Sequence, residues 1–521
     1  MIGEDVQSPD PEAMAEDLGL GRWLSGFLRC RWLLVAAVLF ALYGWQMARG
    51  EWVHDFWEYG AAVKELLRDV GSPRHPLLAL DAPHFSYSPY LVSAAWLGRL
   101  AGAAPVAVLA WAGLFNLGLI LAGLRLFISG TGCPRPHAAT FYALVLWLLL
   151  WGPGAWQYSA FYHLGVLFWV LPYPCSFAFG LSWIILWQHQ KKPTAIRAAV
   201  LGLLAAAVAL THPVTFMFLS AGLAGLVFQS GRFDGRKALQ AAAALGIALA
   251  VAGYWPYFPF WQIAFGDNSA TYVASDTSMY DHWFVRTWPV WVCLPLLALG
   301  PGKNRGAGPG VAMALLAVLY ALGWLTGTWY VGRVISHVAL LGQLLLALRM
   351  ASWEWAAFQP GFSGARRRSS VAAIGFVLAL GLIGSRSAIL DRIALMVRSS
   401  VPAYRAYESL SEYLAPDDVV VSDRLTANMI PTFGGKVMCP RFHQFFISDL
   451  EERNRDLQRL YEENAGIGIW REIAAKWGVT CVLVPKDERF AERMALVSQM
   501  GKTVFERDEY ALVRISPEVA P

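Results

Sequence analysis

Charge is what this chain is short of. Lys, Arg, Asp and Glu make up 15% of its 521 residues, against about a quarter in soluble domains. None of the four occurs from Pro136 to Gln190, and further uncharged runs extend over 198–231, 238–266 and 334–348. Runs of this length cross about 30 Å of hydrocarbon as helices, so a single soluble globule is excluded. Metal-type cysteine spacing is also missing. The six cysteines, Cys30, Cys133, Cys175, Cys293, Cys439 and Cys481, form no CxxC, so neither a zinc site nor a disulfide framework is indicated. Cys439 and Cys481 are a pair that an extracytoplasmic location would allow to join. No basic face with interleaved aromatics occurs, which argues against nucleic acid as a partner. The N-terminus lacks the pattern of a signal peptide. Its acidic stretch, with Glu4, Asp5, Asp10, Glu12, Glu16 and Asp17, reads as a disordered tail over 1–20 ahead of a retained first span.

What is present is apolar and aromatic. Hydrophobic residues make 56% and aromatics 14% of the chain. Spans are expected near 31–48, 104–127, 138–152, 174–188, 196–211, 213–229, 238–257, 286–300, 310–327, 333–350 and 370–386, about eleven by spanning length. Alternate loops carry the basic residues: Arg22, Arg29 and Arg31; Arg125 and Arg135; Lys191, Lys192 and Arg197; Arg232, Arg236 and Lys237; Lys303 and Arg305; Arg366, Arg367 and Arg368. The positive-inside rule then places the N-terminus in the cytoplasm and the C-terminal part outside. Many tryptophans, Trp57, Trp255 and Trp261 among them, fall near the expected outer boundaries, as an aromatic belt would.

The expected fold class is mainly α, a polytopic membrane helical bundle over 21–386 with a soluble C-terminal α/β domain over 387–521. The first outer loop, 49–103, is expected to hold two interfacial helices. In one, Phe56, Tyr59, Val63, Leu66, Leu67 and Val70 recur at helical spacing. The other, Tyr87 to Ala101, is short, contains Arg99 and sits beside Pro89, so it is read as lying in the interface rather than spanning. In the C-terminal part, strand-like runs at 417–423, 479–484, 503–506 and 510–514 alternate with helical runs at 450–463 and 469–477. No GxGxxG or P-loop follows any of these strands, so nucleotide binding is not indicated.

The residues that could carry chemistry gather in the first outer loop. Asp55 and Glu58 are spaced i, i+3 and share a helix face at the membrane surface. There a carboxylate can take a proton from a hydroxyl nucleophile, or Asp55 can simply cap the helix and Glu58 pair with a nearby Lys or Arg. A second cluster, Asp81-Ala-Pro-His84, lies in a Pro-broken aromatic loop, where the alternatives are a site wall and a plain turn. Arg333 stands at the outer end of a span, where it either binds an anion or reaches for headgroups. His337 follows it by one turn, and His212 stands in a tight helical hairpin as either a capping or a site residue. His163, Asp276, Asp281, His282, Arg441 and His443 carry less weight.

A first span, an outer loop with an acidic motif between two interfacial helices, many further spans and a C-terminal α/β part together resemble the GT-C glycosyltransferases. The resemblance rests on placement more than on letters, and Asp81-Ala-Pro-His84 departs from the His-Pro-Pro element of the mannosyltransferases. It implies a hexosyl- or pentosyltransferase that uses a polyprenyl-phosphate-linked sugar donor and a lipid, glycan or protein acceptor, at the periplasmic face of a bacterial inner membrane. It implies Asp55 as the loop acid, with Glu58 as a weaker match and Asp81 or His84 as the second position. Arg333, His337 and His212 would then serve the substrate and its phosphate. Many members of the group use a divalent metal, but the sequence places no metal site. The rival readings are a lipid or polysaccharide transporter, which would carry repeated halves and midplane charges, and a non-catalytic scaffold of envelope glycan assembly.

Overall fold

A computed structural model describes residues 20–154, 163–265, 273–298, 307–357, 364–397, 403–442, 444–461 and 466–516. The acidic segment 1–19 lies outside them. Among the described residues six helical stretches are long and apolar enough to cross a membrane: Arg31–Arg49, Pro105–Gly130, Gly235–Gly253, Ala307–Thr326, Trp329–Trp355 and Arg367–Gly384. Pro136–Leu149, Ala195–Thr211, Pro213–Leu226 and Trp283–Ala298 are shorter apolar helices. Five helices open on a proline: Pro89, Pro105, Pro136, Pro174 and Pro213. The first turn has no use for that missing N–H, and the ring presets φ.

Small residues let the bundle close. A Cβ on Gly123 would lie 2.9 Å from the Gly180 carbonyl, and one on Gly180 would lie 3.0 Å from the Ile120 nitrogen. The Pro105–Gly130 and Pro174–His189 helices therefore meet backbone to backbone, as helices in lipid do when packing rather than dehydration drives association. At the end of the bundle where the first span begins, Arg31 and Arg135 both pair with Glu354, and the Tyr142 hydroxyl donates to the same carboxylate at 2.8 Å. Three helices are tied together there.

The expected loop helices are present. Phe56–Arg68 and Pro89–Ala101 are each 13 residues long, the second closed by Gly102 in the left-handed region. Trp57 is not part of a belt: it is 3% exposed and packs against Tyr404 and Phe433.

The C-terminal part carries a five-stranded sheet: β1 (Val419–Val421), β2 (Lys436–Val437), β3 (Cys481–Pro485), β4 (Gly501–Glu506) and β5 (Tyr510–Ile515), in the order β2-β1-β3-β5-β4. The β2, β1 and β3 strands are parallel; β5 runs antiparallel to β3 and β4. One face, with Val419, Val421, Val482 and Val484, packs on the Leu450–Tyr461 and Ile467–Trp477 helices through Leu457, Trp470 and Ile473. The other, with Val420, Cys481, Leu483 and Leu512, packs on Ala61, Leu77 and Leu78 of the first outer loop. A sheet buried on both faces reads as a continuous apolar run, which is why Val419-Val420-Val421 does not alternate. Cys439 and Cys481 are both free thiols, buried in different clusters on the two faces, so the pairing the sequence allowed does not occur.

Candidate active site

The segment between β1 and β2 holds the Phe56–Arg68 helix from behind. Asn428 donates through Nδ2 to the His54 carbonyl at 2.8 Å, and Thr432 donates through Oγ1 to the Trp57 carbonyl at 2.8 Å. From the bundle, the Tyr173 hydroxyl donates to the Val53 carbonyl at 2.6 Å. A Cβ on Gly60 would come within 2.9 Å of the Thr432 side chain, so glycine is what lets this helix approach so closely. His54 itself has φ of 54°, and Phe446 has φ of 66°; no other non-glycine residue among those described has positive φ. Strained backbone of this kind clusters at functional sites.

The helix opens onto a cavity of about 1320 Å³. Its lining comes from three regions: His54, Asp55, Glu58, Ser86 and Ser88 of the first outer loop; His212, Tyr330, Arg333 and Arg392 of the bundle; and Phe442 and Phe445 of the C-terminal part. Asp55 occupies the N-cap position but makes no side-chain capping bond, so the capping alternative is excluded and its carboxylate is left for the cavity. Burial raises its pKa, while His54, Arg333 and Arg441 pull the other way.

Glu58 behaves differently. It is 5% exposed and pairs with neither Lys nor Arg; its Oε1 stands 3.7 Å from His84 Nε2. Burial, and next the Asp55 charge, push its pKa up to about 8, against opposing contributions from Gln444 and Ser86. His84 lies behind it. The Ser86 N–H donates to His84 Nδ1 at 3.2 Å, so Nε2 carries the proton and donates to Gln444 Oε1 at 2.7 Å. Burial holds the His84 ring at about 4, and so at neutral pH both Glu58 and His84 are uncharged. The neighbouring Asp55 charge is thus one of the causes that keep Glu58 protonated, as expected of like charges sharing a site.

Asp55, Glu58, His212 and Arg333 meet in one cavity, as their sequence positions suggested. His212 both lines it and caps the Pro213–Leu226 helix, its Nδ1 accepting from the Thr215 N–H at 3.2 Å. The Arg333 guanidinium acts electrostatically on both Asp55 and His212. Three expectations fail, those for Asp81, His84 and His337. Asp81 is exposed and not part of the lining; His84 goes inward but is buried behind Glu58, against Gln444, and does not line the cavity either. His337 is 1% exposed and stacks on Phe218 at 5.1 Å. The 3-10 turn Trp329–Val334 ends between it and Arg333, and the change of pitch removes the shared face. Asp281 and His282 are exposed. The side chains of Asp276 and His443 lie outside the described residues.

Arg392, Asp391, Trp169, Gln444 and the two phenylalanines escaped the sequence reading. Their only sequence signal was position: Asp391 and Arg392 follow the last apolar run by less than three helical turns. Among the described residues no group of three or more His, Cys, Asp or Glu side chains is placed to hold a metal ion.

No protein-family profile matches the chain, and no curated protein matches it in sequence. Solved structures do. ArnT from Cupriavidus metallidurans, bound to undecaprenyl phosphate, superposes with a TM-score of 0.53 at 11% identity, over 94% of this chain and 99% of that one. Arabinofuranosyltransferase AftD from Mycobacteria matches with a TM-score of 0.52 at 16% identity, over 94% of this chain, and a mutant of it gives 0.53 at 14%. This chain spans 40–42% of the length of AftD. The fold is shared with these solved structures, and the apolar helices fit a multi-pass membrane protein.

Proposed function

We propose that the protein is a membrane glycosyltransferase that moves a sugar from a polyprenyl-phosphate-linked donor to an acceptor hydroxyl at the non-cytoplasmic face of a bacterial inner membrane. The observation that carries this reading is Asp55: a carboxylate at a helix start, spent on no cap, facing a lipid-bundle cavity that also holds Arg333. The likeness to ArnT, captured with undecaprenyl phosphate, supports the choice of carrier. The apolar wall made by Leu210, Val214, Leu249, Phe260, Trp261 and Ile263 suits a polyprenyl chain running in from the membrane.

The step is a single displacement. The acceptor hydroxyl gives its proton to Asp55 as its oxygen bonds to the anomeric carbon. The bond from that carbon to the phosphate oxygen breaks, and the polyprenyl phosphate leaves with the electron pair, inverting the configuration. Arg333 stabilises the charge that grows on the leaving oxygen. Glu58, protonated, adds no second negative charge beside that phosphate and can donate a hydrogen bond into the cavity.

The test is Asp55→Asn, which keeps the shape and removes the base. Loss of a proton acceptor lowers a rate by about 10²- to 10⁴-fold. Mass spectrometry of surface glycans and glycolipids should show one species lost in a deletion strain and still missing when Asp55→Asn is expressed at wild-type level. Full restoration by that variant would refute the assignment.

A further inference from the structure

The catalytic reading uses the side of the cavity around Asp55 and Arg333. Another wall remains, built from residues 163–169 and from the Arg386–Val397 helix that follows the last apolar run; it includes His163, Gly165, Trp169, Ser387, Asp391 and Arg392.

Arg392 is 7% exposed. Its Nη2 donates to the Gly165 carbonyl at 2.9 Å and to the Leu164 carbonyl at 3.4 Å. The guanidinium also lies over the rings of Phe168 and Trp169, 5.1 and 5.2 Å from their centroids. One edge of the group is therefore fixed, but the other is not satisfied: Nη1 is buried and has no hydrogen-bond partner. Trp169 Nε1 beside it is buried and unpartnered as well. His163 is a third donor. Its Nδ1 accepts from the Gly165 N–H at 3.1 Å, which leaves the proton on Nε2. Buried donors are ordinarily paired, and two unpartnered ones on adjacent side chains of this wall mark a place where an acceptor group belongs.

This cation is distinct from the catalytic one. Arg392 acts on His163 and is acted on by Glu51, whereas Arg333 acts on Asp55 and His212. The wall also differs in character from the apolar one that suits the carrier. Its exposed carboxylate, Asp391, stands one residue from Arg392 and so about 100° around the helix; an anion must sit over the guanidinium and not over Asp391. Asp391 and Ser387 suit hydroxyls.

We propose that this wall is the acceptor subsite, and that the acceptor is a glycan bearing an anionic group, a phosphate or a carboxylate, which Arg392 holds with Trp169 and His163. The proposal rests on the glycosyltransferase reading, since it assigns the second substrate. Two cations on separate walls then hold the two substrates, with Asp55 on the carrier side.

The experiment uses the full-length protein in nanodiscs, with binding followed by calorimetry in two stages. Undecaprenyl phosphate is added first. Its binding to wild type, weakened at least tenfold in Arg333→Gln, is the requirement of the glycosyltransferase reading, and its failure would count against that reading alone. The carrier-loaded protein is then titrated with inorganic phosphate, with glucuronate and with glucose. Wild type should bind at least one of the two anions and bind glucose at least tenfold more weakly. Arg392→Gln should weaken the anion tenfold or more, and Trp169→Phe, which keeps the ring and removes the N–H, by several-fold. Phosphate alone or glucuronate alone identifies the anion. Should Arg392→Gln not fold, Arg392→Lys must weaken binding several-fold, because lysine cannot keep both carbonyl bonds and a free donor edge. Anion binding equal in wild type and the Arg392 variant, glucose binding as tight as that of the anions, or no anion binding to carrier-loaded wild type would overturn the proposal.

Discussion

Glu58 decides how the site responds to pH. Its carboxyl is ordinarily ionised near 4.5, and in the folded protein it holds its proton up to about 8. Between those values the folded state binds more protons than the unfolded one, so stability falls as pH rises through that window. Glu58→Gln mimics the protonated acid and removes the titration. The variant should lose the steeper part of the decline in Tm between pH 5 and pH 8.5, relative to wild type in the same detergent. The same proton shapes activity. Once Glu58 ionises, a second negative charge stands beside Asp55, where the donor phosphate must bind. The alkaline limb of kcat/KM should therefore fall near pH 8 in wild type and disappear in Glu58→Gln. An identical alkaline limb in both proteins would show that another group controls it.

At the scale of the element, the Phe56–Arg68 helix works because something outside the bundle holds it. Ala61 and Glu65 lie four residues apart on one stripe of the helix, and that stripe faces the C-terminal sheet. Lys436 at the start of β2 donates through Nζ to Glu65 Oε1 at 2.6 Å and to the His75 carbonyl at 2.8 Å, with both charged side chains nearly fully buried. Removing one partner of such a pair strands the other and costs about 3–5 kcal/mol, while replacing both with apolar groups is often neutral. Lys436→Met should lower Tm strongly and reduce activity with it. Lys436→Met combined with Glu65→Met should recover most of the Tm, and recovery of activity would follow if Asp55 returns to its place. The helix and its two carboxylates were legible in the sequence because their pattern is local: apolar residues at helical spacing, Asp and Glu three apart. The clamp was not legible. His84 and Gln444 are 360 residues apart in the chain, β2 is two residues long, and neither carries a periodic signal. Asp81 misled for the opposite reason: an acid in a Pro-containing turn looks the same in sequence whether the turn faces a cavity or the solvent.

At the scale of the whole molecule, the two ends of the bundle are chemically unlike. The first membrane helix runs from Arg31, tied to Glu354, to Arg49 at the edge of the cavity loop, a rise of about 27 Å at 1.5 Å per residue. At the cavity end, the first outer loop and the C-terminal sheet form one packed unit: Ala61, Leu77 and Leu78 share a core with the strands, and Arg74 pairs with Asp417 at 2.7 Å. Those two regions must therefore lie on one side of the membrane. The basic loops at 191–197 and 231–237 connect helices at the other end, and the positive-inside rule predicts that end on the cytoplasmic side. In a cysteine-free background, Asp81→Cys and Asp417→Cys, both at exposed positions, should react with a membrane-impermeant maleimide in intact cells. Lys192→Cys and Arg232→Cys, also exposed, should react only after permeabilisation. The outcome bears directly on the proposed mechanism, because the proposed base, the proposed phosphate-binding arginine and the proposed acceptor wall all open at the cavity end. If all four positions labelled alike, or if the two pairs exchanged behaviour, the cavity would face the wrong compartment for a carrier presented outside, and the displacement argued for Asp55 would have no donor to act on.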